Sequence, residues 1–164
     1  MESAQKLASR FREVILNGTW IANTNYQDQL SNITWQQAIT KVSSLNTIAL
    51  LAFHINYYIA GVMNVFKGGN LEIHDKYSFD MPEITSENEW NKLLKTMMQN
   101  AEAFAKYVEE MSEEQLDNTF VDPKYGSYRR NIEALIEHSY YHLGQVSLIR
   151  KMIESKNKGN TISA

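Results

Sequence analysis

The chain has 164 residues, 43% of them apolar and 21% charged, with two prolines, seven glycines and no cysteine. That length and balance suit one soluble domain with a substantial core. The absence of cysteine excludes disulfides, thiolate metal sites, iron–sulfur clusters and a cysteine nucleophile, so any metal must be held by nitrogen or oxygen. Sixteen Lys and Arg against nineteen Asp and Glu give a net charge of −3, scattered without a basic stripe, and no nucleic-acid partner is expected.

The opening stretch MESAQKLASRFREV is amphipathic and lacks the apolar segment of a secretion signal, so the cytoplasm is the expected location. Asn17-Gly-Thr and Asn32-Ile-Thr match the glycosylation sequon by chance on that reading. Leu7, Phe11 and Val14 recur at helical spacing, and Asn17-Gly18 supplies a stop. The polar connection TWIANTNYQDQLSNI is longer than a helix turn needs. Trp20 and Tyr26 within it predict a segment folded over one end of the molecule.

Thr34 and Gln37 form a capping box that opens a second helix, predicted to run to Phe66 over roughly 50 Å. Gly68-Gly69 ends it. Residues 47–66 are almost long and apolar enough to span a bilayer. However, His54, Asn56 and Asn64 interrupt them, and a helix apolar on every side equally suits the central rod of a bundle. No membrane partner is expected. Residues 70–85 read as a surface crossing, with Pro82 forbidding helix before the next start.

Ser86 and Glu89 form another capping box, followed by Trp90, Leu94, Met97, Ala101, Phe104, Val108 and Met111 at alternating four- and three-residue steps. Pro123 and Gly126 punctuate the turn that follows. A fourth helix from about Tyr128 to Ser155 carries Ile132, Leu135, Ile136, Leu143, Val146, Ile149 and Ile153. These patterns predict an all-α, antiparallel four-helix bundle. It forms a single domain over 1–155, with a flexible tail at 156–164.

The fourth helix contains HSYYHLGQ at 138–145, two of the four histidines in the chain. At 100° per residue His138 and His142 lie about 40° apart, in a sector shared with Leu135 and Ile149. Imidazoles one turn apart can converge on one ion; equally, each could be a hydrogen-bonded core residue. His54 adds a third imidazole in the apolar second helix. Three buried polar rings need partners, and one divalent ion shared by all three would satisfy them together. Three histidines leave a position open on zinc or nickel, as in catalytic rather than structural sites. His74, in the polar crossing, is read as a solvated residue.

HSYYHLGQV, preceded by a lone histidine in a long second helix, resembles the DinB-like (YfiT-like) superfamily. The resemblance implies a four-helix bundle holding a divalent metal, Ni2+ or Zn2+, through His54, His138 and His142, with Gln145 as the recurrent neighbour of the ligands. It also implies homodimers and, for some relatives, transfer of low-molecular-weight thiols such as bacillithiol or mycothiol onto electrophiles.

Gln145 falls on the His138 side, placed either to orient a ligand or to edge the core. Tyr58 and Tyr141 are candidate pocket residues or plain packing. Glu137 and Leu148 point away, and no HExxH supplies a carboxylate base. The expected function is a metal-dependent thiol transferase or hydrolase acting on a small molecule; the alternative is a non-catalytic metal- or small-molecule-binding module of the same fold. Gly144 costs up to about 1 kcal/mol in a helix interior relative to Ala, which the close approach of another backbone, such as a second subunit, would explain. Leu45, Ala52, Ile59 and Met63 line the side opposite His54, which needs either the 68–85 crossing or a second chain to cover it; with the resemblance, a dimer is the expectation.

Overall fold

The computed structural model describes residues 2–160, with side chains through Lys156. Among the described residues there is no β-strand, only an isolated bridge between Thr119 and Ser127. The protein is all-α.

Helix α1 (Ala4–Arg12) is capped by Ser3 and runs into a widened π turn at Glu13–Asn17. Leu7, Phe11, Val14 and Ile15 are fully buried along this segment. The stop at Gly18 has a steric cause. Its backbone is extended (φ −100°), but a Cβ there would lie 2.2 Å from Glu13 Cγ. Only glycine lets the chain leave so close to the turn it has just completed. Residues 19–25 lead to the short helix α2 (Tyr26–Leu30). Tyr26 is fully buried and donates its hydroxyl to the Ser139 carbonyl at 3.1 Å. Trp20, expected to pack, is 85% exposed.

The predicted 34–66 helix is two helices. Thr34 and Gln37 form their capping box, but α3 (Trp35–Ile39) is little more than one turn long. Thr40 is extended and Ser43 is left-handed at φ +52°, after which Thr47 caps α4 (Ile48–Phe66) by accepting from Leu50 N–H. The run Ser43-Ser44-Leu45-Asn46-Thr47 is rich in side-chain oxygens that favour turns and caps over continued helix. By length and composition α4 could cross a membrane, and 56% of its most apolar window is buried within the chain. Ala52, Ile59 and Met63 are covered internally and only Leu45 stays partly exposed, so this side of α4 needs no second chain to bury it.

Gly68, at φ +86°, closes α4. Helix α5 (Glu87–Glu109) follows the crossing, with Ser86 as its cap. The Glu89 carboxylate reaches back to Thr85 rather than to the Ser86 backbone, accepting from both Thr85 N–H and its hydroxyl. The predicted seam is buried at Trp90, Met97, Ala101, Phe104, Val108 and Met111, with Leu94 packed beside it. A further short helix, α6 (Glu113–Asp117), opens with a Ser112–Gln115 capping box. Helix α7 (Tyr128–Asn160) extends past Ser155; residues 161–164 of the predicted tail lie outside the described residues.

Helix α5 packs on α1 and α4, and α7 packs on α4 and α1. Buried Arg129 ties α7 to α6 through Asp117 and Glu113, each at 2.9 Å, and bonds the Glu2 carbonyl. This frame holds the middle of α4 against the middle of α7.

Candidate metal centre

Helix α4 contributes His54 and α7 contributes His138 and His142, one turn apart. His54 and His142 are 4% and 7% exposed, and His138 is half-buried. The ring centroids lie 5.1 Å (His54–His138), 4.7 Å (His54–His142) and 4.6 Å (His138–His142) apart. One nitrogen from each ring lies within 4.8 Å of the others. Nitrogens bound to one tetrahedral ion at about 2.0–2.1 Å sit roughly 3.3 Å apart, so small rotations about the side-chain torsions would close the set.

The outer nitrogens determine which lone pairs face inward. His54 Nδ1–H donates to the Ser78 carbonyl at 3.3 Å, and His142 Nδ1–H donates to Gln145 Oε1 at 2.7 Å. Both Nε2 atoms are thereby left as acceptors. His54 Nε2 accepts from His138 Nε2–H at 3.0 Å. A neutral His138 would free its own Nε2 by carrying the proton on Nδ1 instead. Among the described residues no buried side-chain nitrogen or oxygen lacks a partner. An ion is therefore implicated by the convergence of three donors, not by an orphaned polar atom.

Electrostatics keep the rings neutral. Burial, with the neighbouring His142 and His138, pushes His54 down to about 4. His138 is lowered by burial and by His142, and His142 by burial against an opposing bond from Gln145. Neutral imidazoles are what a divalent ion requires.

The crossing supplies further groups around the histidines, and nothing in its sequence spacing marks them out. The Phe79 ring stacks on His54 at 4.0 Å, and Ser78 is the residue whose carbonyl orients that imidazole. Tyr58, edge-on to His54 at 5.0 Å and equally close to His138, donates its hydroxyl to Asp75 Oδ1 at 2.8 Å. Tyr57 O–H donates to the His74 carbonyl, and the same oxygen accepts from His74 N–H. Gly61 completes this clamp: a Cβ there would meet Ile73 at 2.4 Å. One face of α4, at positions 54, 57, 58 and 61, thus seats the crossing directly over the histidines. A backbone carbonyl and an exposed Asp carry no spacing signature, so only Pro82 and the polar composition of the crossing were legible.

A cavity of about 560 Å³ opens beside this group, reaching His138, Tyr58 and Asp75. Val62, Leu71 and Leu135 form its apolar wall, with Lys76 and Asn131 among its polar lining. Tyr58 therefore sits where a pocket residue was expected. Tyr141 does not: it is 66% exposed, its ring 4.8 Å from His142, and it is not among the residues lining the cavity. His74 is exposed and outside the three-histidine group, but it lines the cavity. Glu137 faces outward and pairs with Arg130 at 3.2 Å.

Comparison with protein-family models matches residues 24–146 to the DinB superfamily. No curated protein and no solved structure matches the chain. The matched segment takes in α2 through most of α7, with all three clustered histidines and Gln145, and leaves out α1. The chain belongs to the DinB superfamily.

Proposed function

We propose that this protein binds a divalent ion, zinc or nickel, through His54, His138 and His142, and uses it on a small molecule held in the adjoining cavity. The observation that carries this reading is the convergence of three imidazoles, two of them oriented by bonds at their outer nitrogens, beside a cavity large enough for a small-molecule ligand. On this reading α1 with its π turn, α4, α5 and α7 form an antiparallel four-helix bundle, with the site between the second and fourth long segments.

When bound, the ion supplies Lewis acidity toward a thiol or a carbonyl brought into the cavity. The apolar wall at Val62, Leu71 and Leu135 holds the body of the ligand. Tyr58 and Asp75 provide the acid–base pair that sequence alone did not locate: the carboxylate accepts the Tyr58 proton and can accept one from a ligand at the same place. Phe79 shields His54 from water on its outer face. Thiol transfer to an electrophile and hydrolysis both fit this equipment.

A panel of low-molecular-weight thiols with electrophiles, and of hydrolysable esters, would test it on metal-loaded and chelator-treated protein. Turnover present only in the loaded sample and lowered at least ten-fold by Asp75→Asn is the expected result. Tight metal binding with no turnover across the panel would leave a binding module.

A further inference from the structure

The cavity beside the histidines is a trench whose two ends differ chemically. Tyr58 packs against His138 with ring centroids 5.0 Å apart, and Phe66 packs against Tyr128 at 5.6 Å, so α4 and α7 pass each other in opposite directions. The crossing doubles back along the same stretch of α4. Asp75 accepts from Tyr58, Ile73 lies against Gly61, and the Asn70 carbonyl accepts from Asn64. The lining residues therefore fall in order along one axis. His138, Tyr58 and Asp75 mark one end. Asn131 marks the other, with Tyr125, whose carbonyl it bonds, and Phe120, which packs edge-on against Tyr128. Along α7 the span from His138 to Asn131 is two turns, about 10 Å.

Polar side chains gather at the histidine end, where His74, Asp75 and Lys76 join His138 in the lining. Between the ends the walls are Val62, Ile73, Ala134 and Leu135. Their side chains offer no hydrogen bond, and the backbone groups of α4 and α7 at these positions are used in the helices themselves. At the far end Asn131 Nδ2 donates to the Tyr125 and Ser127 carbonyls, each at 2.8 Å. That leaves an acceptor oxygen and nothing to give a carboxylate or a phosphate. Lys124, next to Tyr125, pairs with Asp122 at 3.5 Å and is not among the lining residues.

We infer that the ligand of this cavity is an amphiphile, with a small polar head at the histidine end and an uncharged alkyl or aryl tail lying along α7 toward Phe120. Only the placement of the head rests on the proposed metal reading; the tail follows from the walls. A tail of that span takes roughly eight bonds at about 1.2 Å per bond of an extended chain. A polyhydroxylated body of the same length would bury hydroxyls against carbon without partners, a net cost for each one. Of the two reactants in a thiol transfer, the trench accordingly takes the one with the apolar body, and a sugar-based thiol is not that reactant.

Linear alkyl hydroxamates test this, since the hydroxamate head chelates zinc while the tail length varies. Calorimetric titration of zinc-loaded protein, freed of excess ion, would run from acetohydroxamate to decanohydroxamate, with gluconohydroxamate as the polyol of intermediate length. A parallel series of n-alkanols on chelator-treated protein reads the tail without the metal. Affinity is expected to rise roughly two- to four-fold per methylene and to level off near octanohydroxamate, with gluconohydroxamate no tighter than acetohydroxamate. Ala134→Phe, one turn from His138, should bring the levelling forward to about butanohydroxamate in a chain of unchanged melting temperature. Should that variant not fold, the slope and the polyol comparison on the unmodified protein still decide. Hydroxamates that fail to bind beside alkanols that gain with length would remove the metal reading and keep the tail. Acetohydroxamate binding with no gain from longer tails, gluconohydroxamate matching octanohydroxamate, or a folded Ala134→Phe variant that leaves the series unchanged would each overturn the inference, as would a flat alkanol series.

Discussion

At the scale of single residues, the site depends on atoms that are not ligands. Gln145 fixes the tautomer of His142 through a 2.7 Å bond, and removing such a partner typically costs 10–100-fold in metal affinity. Gln145→Ala is therefore expected to weaken zinc or nickel binding by about that factor in a calorimetric titration, while the helical spectrum stays unchanged. The lowered imidazoles have a consequence for the metal-free chain. His54 titrates near 4 when folded against 6.5 ordinarily, and His138 and His142 are lowered as well. As pH falls below 6.5 the unfolded chain takes up protons that the folded chain refuses, so stability declines down to about 4 and then levels. Melting of chelator-treated protein should show that fall, and His54→Gln should reduce it, the remainder coming from His138 and His142.

At the scale of elements, α4 both carries His54 and seats the crossing over it. Gly61→Val places side-chain atoms where Ile73 now lies. Overpacking of this kind costs about 1–3 kcal/mol, and the displaced crossing should expose Asp75–Phe79 to limited proteolysis. Within the seam, Phe104→Ala removes a fully buried ring stacked on Phe66 and tilted against Phe11, a loss of about 3–5 kcal/mol in denaturant unfolding. The elements best read from sequence were those with sustained periodicity: Trp90 through Met111, and Ile132 through Ile153, are buried as their spacing required. The second helix was overextended because its apolar pattern is nearly continuous, and periodicity cannot register a left-handed Ser43 inside it. The Ser112–Gln115 capping box that opens α6 is visible in the sequence, ahead of the stronger Pro123 and Gly126 turn signals. The histidines were legible because burying three polar rings is unusual enough to demand an explanation. Asp75, Ser78 and Phe79 were not, since they reach the site only through the path of an irregular segment.

At the scale of the whole molecule, the fold brings α4 and α7 together at mid-length, so residues 84 positions apart form one donor set. The same frame leaves a cavity beside His138. The central claim is that the three imidazoles hold an ion. Elemental analysis of the purified protein beside His142→Ala, each first confirmed as folded, addresses it most directly. The account predicts about one zinc or nickel per chain, lost in the variant. Protein that stays free of metal in both forms, even after either ion is supplied, would contradict it and leave a helical core with three well-partnered histidines.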